Sequence, residues 1–246
     1  MQTIHSSIVF FHIIAGSLSL LLFWIPCLTK KGGPAHRKYG ALYFKAMAFT
    51  SISGVVSSCI ALAIPLVIYP VIPEDYGSVA HYVAVVRGRY IFLLMLSLLV
   101  WSNIHQAQRV LEVKANNRAL RKPLDIGLPI ALLIVAGIAL YQGIKFEVTL
   151  TRIFAPIALF NAVSILRYAF ARHIHQGKWL LEHISHTIAS GIGAYTAFFA
   201  FGGRTLFNGL GALQIVTWVI PGLIGTFFTI WLTRKYRAKM KIRSQA

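Results

Sequence analysis

Acidic side chains are scarce in this chain. Six Asp and Glu residues stand against 24 Lys and Arg residues and nine His residues. None of the six lies near the middle of an apolar run: Glu74, Asp75, Glu112, Asp125, Glu147 and Glu182. A carrier driven by protons or cations usually buries a carboxylate at mid-depth, and enzymes that use paired carboxylates or carboxylate-ligated metals need acids that converge. The scarcity of acids therefore disfavours each of these classes.

Cysteine and the common catalytic motifs are equally scarce. Cys27 and Cys59 are not spaced as a CxxC pair, so they indicate packing rather than metal or redox chemistry. The chain has no nucleophile elbow, no phosphate-binding glycine loop and no HExxH zinc motif. A stand-alone hydrolase or transferase is therefore disfavoured, and the sequence leaves open whether the protein is an enzyme.

Long apolar runs dominate what is present. Hydrophobic residues make up 57% of the 246 residues and charged residues only 12%, against about 25% charged residues in soluble domains. A helix needs about 20 apolar residues to cross the bilayer. The runs therefore predict a single all-α transmembrane bundle over residues 1–246. We expect seven spans and a basic tail, near 8–29, 43–69, 89–108, 126–144, 153–171, 180–202 and 210–233, with the tail at 234–246.

The placement of Lys and Arg predicts the orientation of this bundle. With the N-terminus outside and the C-terminus in the cytoplasm, all but five of the 24 cations face the cytoplasm. The five that remain outside are Arg87, Arg89, Lys145, Arg152 and Arg204. We therefore attribute the net charge of +18 to topology and to contact with anionic lipid headgroups, and we expect no nucleic acid partner.

The apolar runs contain four histidines. His12 lies in the first run and His105 in the third. His183 and His186 form an HxxH pair in the sixth run. Imidazoles ligate metals, and one from each of two helices is able to bracket a haem iron. The four are candidate ligands of haem b or a metal, and each also has a plainer interpretation as a histidine bonded to another helix, to backbone or to lipid phosphate.

Small residues and one polar stretch complete the candidate residues. Gly16 lies one helical turn after His12, while Gly193 and Ala197 continue the face of the HxxH pair, so we expect close helix packing there. The stretch "KKGGPAHRKYG", residues 30–40, is predicted to be a cytoplasmic turn. The members of this loop that we single out are Lys31, Gly32, His36, Arg37 and Gly40. Asp125 is expected to cap the fourth span.

Four stretches also carry a shared pattern. They are "HIIAGSLSLLLF" leading into "KKGGPAHRKYGALYFKAM", "LD" at 124–125, "WLLEHISHTIASGIGAYTAFFAF" and "WVIPGLIGT". Together they resemble a family of uncharacterised bacterial multi-pass membrane proteins, with its Lys-Gly…His-Arg-x-x-Gly loop and His-Ile…Thr-Ala-Phe helix. The resemblance implies an inner-membrane protein and carries no activity with it. The positions that it matches are His12, Gly16, Lys31, Gly32, His36, Arg37, Gly40, Asp125, His183, Thr196 and Pro221.

Three function classes stay open. Many histidines with no buried acid favour a haem-binding or redox-associated membrane protein. A carrier or channel for a small molecule or lipid, with a cavity lined by histidines, is the first alternative. A membrane assembly or accessory factor without a ligand of its own is the second, and for it we expect a protein partner or a homo-oligomer.

Overall fold

The computed structural model describes residues 1–203 and 214–245. No strand occurs in these two ranges, and their α-helices are α1 Gln2–Leu28, α2 Pro34–Ala63, α3 Pro65–Ile68, α4 Val79–Val113, α5 Pro123–Lys145, α6 Thr149–Phe170, α7 Lys178–Ala197 and α8 Gln214–Gln245. A π-helical turn, Phe198–Gly202, directly follows α7. The beginning of the predicted seventh span, 210–213, lies outside the described residues.

Helices of membrane-crossing length make up most of the fold. Six are long and apolar enough to cross a bilayer: α1, α2, α4, α5, α6 and the Val216–Met240 part of α8. The protein is therefore an all-α, multi-pass membrane protein, as its apolar runs predict. The predicted span 180–202 corresponds to α7, which is not one of these six. Polar side chains such as Glu182, His183 and His186 interrupt its apolar sequence.

A proline moves the start of α2 into the stretch predicted to be a loop. Pro34 is the first residue of α2, where its fixed φ suits a helix start. The turn between α1 and α2 is therefore short, covering 29–33. The loop prediction is wrong for His36, Arg37 and Gly40, because these residues lie in the first two turns of α2.

The other helix boundaries also differ from the predicted spans. We predicted that the second span runs to 69, but α2 ends before Pro65, because the residue before a proline is driven out of the helical conformation. Helix α1 begins at Gln2 and α4 at Val79, since backbone hydrogen bonding continues past the apolar core into the polar interface. Helix α8 continues to Gln245, so the tail predicted at 234–246 extends the last helix.

The chain divides into two compact units. The first consists of Met1–Leu99 and Pro129–Val163, and the second of Val100–Leu128 and the described part of Ser164–Ala246. In the first unit α1 packs along α2, and in the second α7 packs along α8. The unit boundaries fall inside α4, α5 and α6. Each unit contains its own group of buried polar side chains.

Candidate functional site

Two hydrogen bonds join α4 to α7 in the second unit. The Nδ1–H of His186 donates to Oδ1 of Asn103 over 2.7 Å. The Nδ1–H of His183 donates to the carbonyl oxygen of Ala107 over 2.9 Å. Residue numbers rise along α4 as they fall along α7, so the two helices run antiparallel at this contact. Both imidazoles of the HxxH pair thus hold α7 against α4.

The second ring nitrogen of His186 faces a carboxyl group. Its Nε2 lies 3.3 Å from Oε2 of Glu182, one helical turn earlier on α7. This contact places a carboxyl group beside the imidazole that holds α7 against α4.

Asp125 binds two side chains of α4. Its Oδ1 accepts hydrogen bonds from His105 Nε2 at 2.6 Å and from Arg109 Nε at 3.0 Å, and its Oδ2 accepts one from the Arg109 guanidinium at 3.1 Å. Arg109 also donates to the carbonyl of Ala119 and to Glu112. Asp125 is not the N-cap that we predicted for the fourth span, because α5 begins two residues earlier, at Pro123. Its side chain, 3% exposed, ties the start of α5 to α4. Two carboxylates therefore neutralise Arg109.

Three polar side-chain atoms of α4 and α7 have no hydrogen-bond partner among the described residues. Ser102 Oγ and Gln106 Nε2 lie one turn apart on α4, and Thr187 Oγ1 lies on α7. All three atoms are buried. A buried polar atom without a hydrogen bond costs about 1–3 kcal/mol. Such atoms in a native protein call for an explanation, such as an ordered water, an ion or a functional role.

Several helical hydroxyl groups elsewhere in this chain bond to their own helix. Ser51 donates to the carbonyl of Met47 over 2.7 Å. The same kind of bond, to a carbonyl three or four residues earlier, is made by Ser19, Thr50, Ser53, Ser190, Thr229 and Thr233. This bond is the ordinary solution for a hydroxyl group in an apolar helix. The hydroxyl groups of Ser102 and Thr187 depart from it.

Gly193 allows α7 to approach α4 closely. A Cβ at this position would lie 2.7 Å from Cγ2 of Val100, which is closer than real Cβ contacts. Ala197, one turn later, is half-buried. At Gly16, in the first unit, a Cβ would meet Cγ2 of Thr50 at an ordinary 3.5 Å. Of the two glycines, only Gly193 requires the absence of a side chain.

His12 lies in the first unit and bonds to α2. Its Nδ1 lies 3.1 Å from Oγ of Ser53, and Nε2 of His5 lies 3.0 Å from Oγ of Ser57. The Ser53 hydroxyl donates to the carbonyl of Thr50, so it accepts from His12. The two histidines, seven residues apart, form successive polar links between α1 and α2.

The turn between α1 and α2 is held by the end of α1. Lys31 Nζ donates to the carbonyls of Pro26 and Cys27 over 2.7 Å and 2.5 Å, and His36 Nδ1–H donates to the same Pro26 carbonyl over 3.0 Å. These carbonyls lack helical partners because α1 ends there, and a cation suits that end of the helix dipole. Partial burial lowers the pKa of Lys31. Gly32 has a φ of +75°, a conformation that favours glycine.

The candidate ligands are divided between the two units. His105, His183 and His186 lie in the second unit, and His12 lies in the first. Within 1–203 and 214–245, no three His, Cys, Asp or Glu side chains form a cluster that could hold a metal ion. The unpredicted members of the site come from "WSNIHQAQR", where polar residues crowd one end of an apolar run: Ser102, Asn103 and Gln106.

Comparisons of the chain with protein-family models, with curated proteins and with solved structures found no match. The likeness to a bacterial membrane-protein family stays a prediction that rests on the quoted stretches. The function is therefore inferred from the site itself.

Proposed function

We propose that the protein binds a small molecule within the bilayer, at a site formed by α4 and α7, and acts as a carrier for it. The observation behind this proposal is a set of three buried polar atoms without partners: Ser102 Oγ, Gln106 Nε2 and Thr187 Oγ1. Ser102 and Thr187 are the sequence neighbours of Asn103 and His186, whose bond joins the two helices. Inside a membrane no bulk water satisfies such groups, so their retention costs stability. A bound molecule supplies the missing hydrogen bonds.

The same proposal includes seven spans, with α7 as the sixth. The 20 residues of α7 and the five of the π-helical turn suffice to cross about 30 Å of hydrocarbon. Bonds from His183 and His186 to α4 support this, because they shelter the polar groups of α7 from lipid. The bias of Lys and Arg supports an outside N-terminus, a cytoplasmic C-terminus and contact with the anionic headgroups of a bacterial inner membrane.

Native mass spectrometry of the full chain released from lipid nanodiscs tests the binding function. We expect a bound small molecule on the wild-type protein and a reduced occupancy in Gln106→Met, which removes the amide donor and keeps most of the side-chain volume. Ser51→Ala is the matched control, because this buried hydroxyl already bonds to its own helix. A wild-type spectrum without added mass would contradict the proposal, as would equal occupancy in Gln106→Met.

Haem binding is the second candidate, and one observation favours it. The Nδ1–H of His183 donates to a backbone carbonyl, the bond that orients many metal-ligating imidazoles. His105 and His186 suit the role less well, because Nε2 of each faces a carboxyl group, of Asp125 and Glu182 respectively. The absorbance of protein expressed with ample haem tests this candidate. A Soret band that disappears in His183→Ala would support it, and wild-type protein without a Soret band would exclude it.

A further inference from the structure

We infer that the ligand of the α4–α7 site is a neutral quinone, whose two ring carbonyls accept hydrogen bonds from Ser102 and Gln106; this inference rests on the proposed function. At least one of the atoms without partners can only donate a hydrogen bond. Nε2 of Gln106 is an amide nitrogen, which donates and cannot accept. The hydroxyl groups of Ser102 and Thr187 also have a proton to donate. A molecule that bonds to Gln106 Nε2 must therefore bring an acceptor, and one with two acceptor oxygens also uses the proton of Ser102.

The charged side chains near the site indicate that this molecule is neutral. Arg109, the one cation that α4 contributes to the second unit, is already paired with Asp125 and Glu112. Glu182 lies beside His186. An anion would therefore find Arg109 already paired. Burial of an unpaired charge costs far more than a few neutral hydrogen bonds return.

The spacing of the two α4 donors selects a quinone among neutral carbonyl compounds. Ser102 and Gln106 are four residues apart, so they share one face of α4 and are separated by about 6 Å along its axis. This separation is comparable to that of the two carbonyl oxygens across a quinone ring. Each donor also lies at the level of one interhelical bond, Ser102 beside Asn103 and Gln106 beside Ala107. The ring would therefore lie along α4, with one carbonyl at each level.

The route of entry is consistent with this choice. The bundle is formed by helices that cross the membrane, and the outward faces of such helices contact lipid. A quinone with an alkyl or isoprenoid tail dissolves in the bilayer, so it reaches the site without crossing water. Its tail remains among apolar side chains and lipid while its carbonyls replace the missing partners of the α4 donors.

Binding of decylubiquinone to the full chain in nanodiscs, followed by quenching of tryptophan fluorescence, tests the inference. We expect saturable binding, with a dissociation constant raised about three- to tenfold in Ser102→Ala and in Gln106→Met, because each loses one neutral hydrogen bond. Ser51→Ala should bind like the wild type. Decylbenzene, which has a ring and the tail but no oxygen, should bind far more weakly.

Two results would overturn the inference. One is wild-type protein that binds decylubiquinone no better than decylbenzene. The other is an unchanged dissociation constant in both variants. Where one of these variants does not fold, the other provides the same measurement. If native mass spectra show a different retained molecule whose occupancy falls in Gln106→Met, the carrier function stands and only the quinone is wrong; if no molecule is retained, both fail.

Discussion

Nδ1 of His186 and Oδ1 of Asn103 lie 2.7 Å apart, and their bond fixes α7 against α4. Both side chains are almost fully buried, with 4% and 1% of their surface exposed. The residues next to them in sequence, Thr187 and Ser102, are polar as well but have no partner among the described residues. The polar residues of α4 and α7 thus fall into those that join the two helices and those whose hydrogen bonds are not made within the described residues.

Replacing Asn103 with leucine is expected to destabilise the protein. The change leaves the buried Nδ1–H of His186 without an acceptor, which costs about 1–3 kcal/mol. Thermal unfolding of the purified chain measures this loss. The double variant with His186→Leu should recover part of the stability, because an apolar pair leaves no donor unsatisfied. If the two single effects simply add, the residues are not coupled as the structure indicates.

Removing the donors that lack partners is expected to have the opposite effect. Without ligand, Ser102→Ala and Gln106→Met should each stabilise the protein, by about 1 kcal/mol, since a buried unsatisfied group is replaced by an apolar one. Ser51→Ala should instead lower the stability, because it removes a hydroxyl that is bonded to Met47. The unfolding temperatures of the three ligand-free variants, compared with that of the wild type, measure these changes. Lower temperatures for both site variants would mean that Ser102 and Gln106 already have partners.

Asp125→Ala is expected to be strongly destabilising. It leaves Arg109 and His105 without the carboxylate that they share, and breaking a buried ion pair costs about 3–5 kcal/mol. Glu112→Gln is the control, because the Glu112 side chain is 62% exposed and such a pair contributes about 1 kcal/mol or less. The free energies of unfolding of the two variants measure the difference. Similar losses in both would contradict the assignment of Asp125 as the central partner.

Gly193→Val is expected to force α7 away from α4. The new Cβ would lie 2.7 Å from Cγ2 of Val100, and overpacking of this kind costs about 1–3 kcal/mol. Val100→Ala in the same chain should restore most of the loss. Gly137→Ala is the control: a Cβ there meets open space, so alanine should stabilise α5 by about 0.5–1 kcal/mol. Unfolding of the three variants measures these changes, and a neutral Gly193→Val would show that the helices are not in close contact.

The membrane helices could be predicted wherever an apolar run is long enough to cross the bilayer. Their ends could not, because hydropathy stops at the interface while the backbone hydrogen bonds of α1 and α4 continue beyond it. Proline decides the ends of α2 through local conformation, at Pro34 and before Pro65. The polar residues of α7 interrupt its apolar sequence, so length and hydropathy alone do not identify it as a membrane helix. In the folded chain these residues bond to α4, which the sequence does not reveal.

The histidines of the site could also be predicted, because HxxH places His183 and His186 on one helix face. Their partners could not, since the register between α4 and α7 decides which residue of "WSNIHQAQR" they meet. Asp125 illustrates the same limit. Its position after a proline indicates a helix cap, but Arg109, distant in sequence, provides the stronger bond.

An experimental density map of the full chain in nanodiscs loaded with decylubiquinone tests the central claim most directly. We predict non-protein density that spans Ser102 and Gln106, with hydrogen-bonding distances of about 3 Å to Oγ and Nε2. A map in which both atoms bond to groups of the protein itself, with no density between them, would contradict a ligand site on α4 and α7.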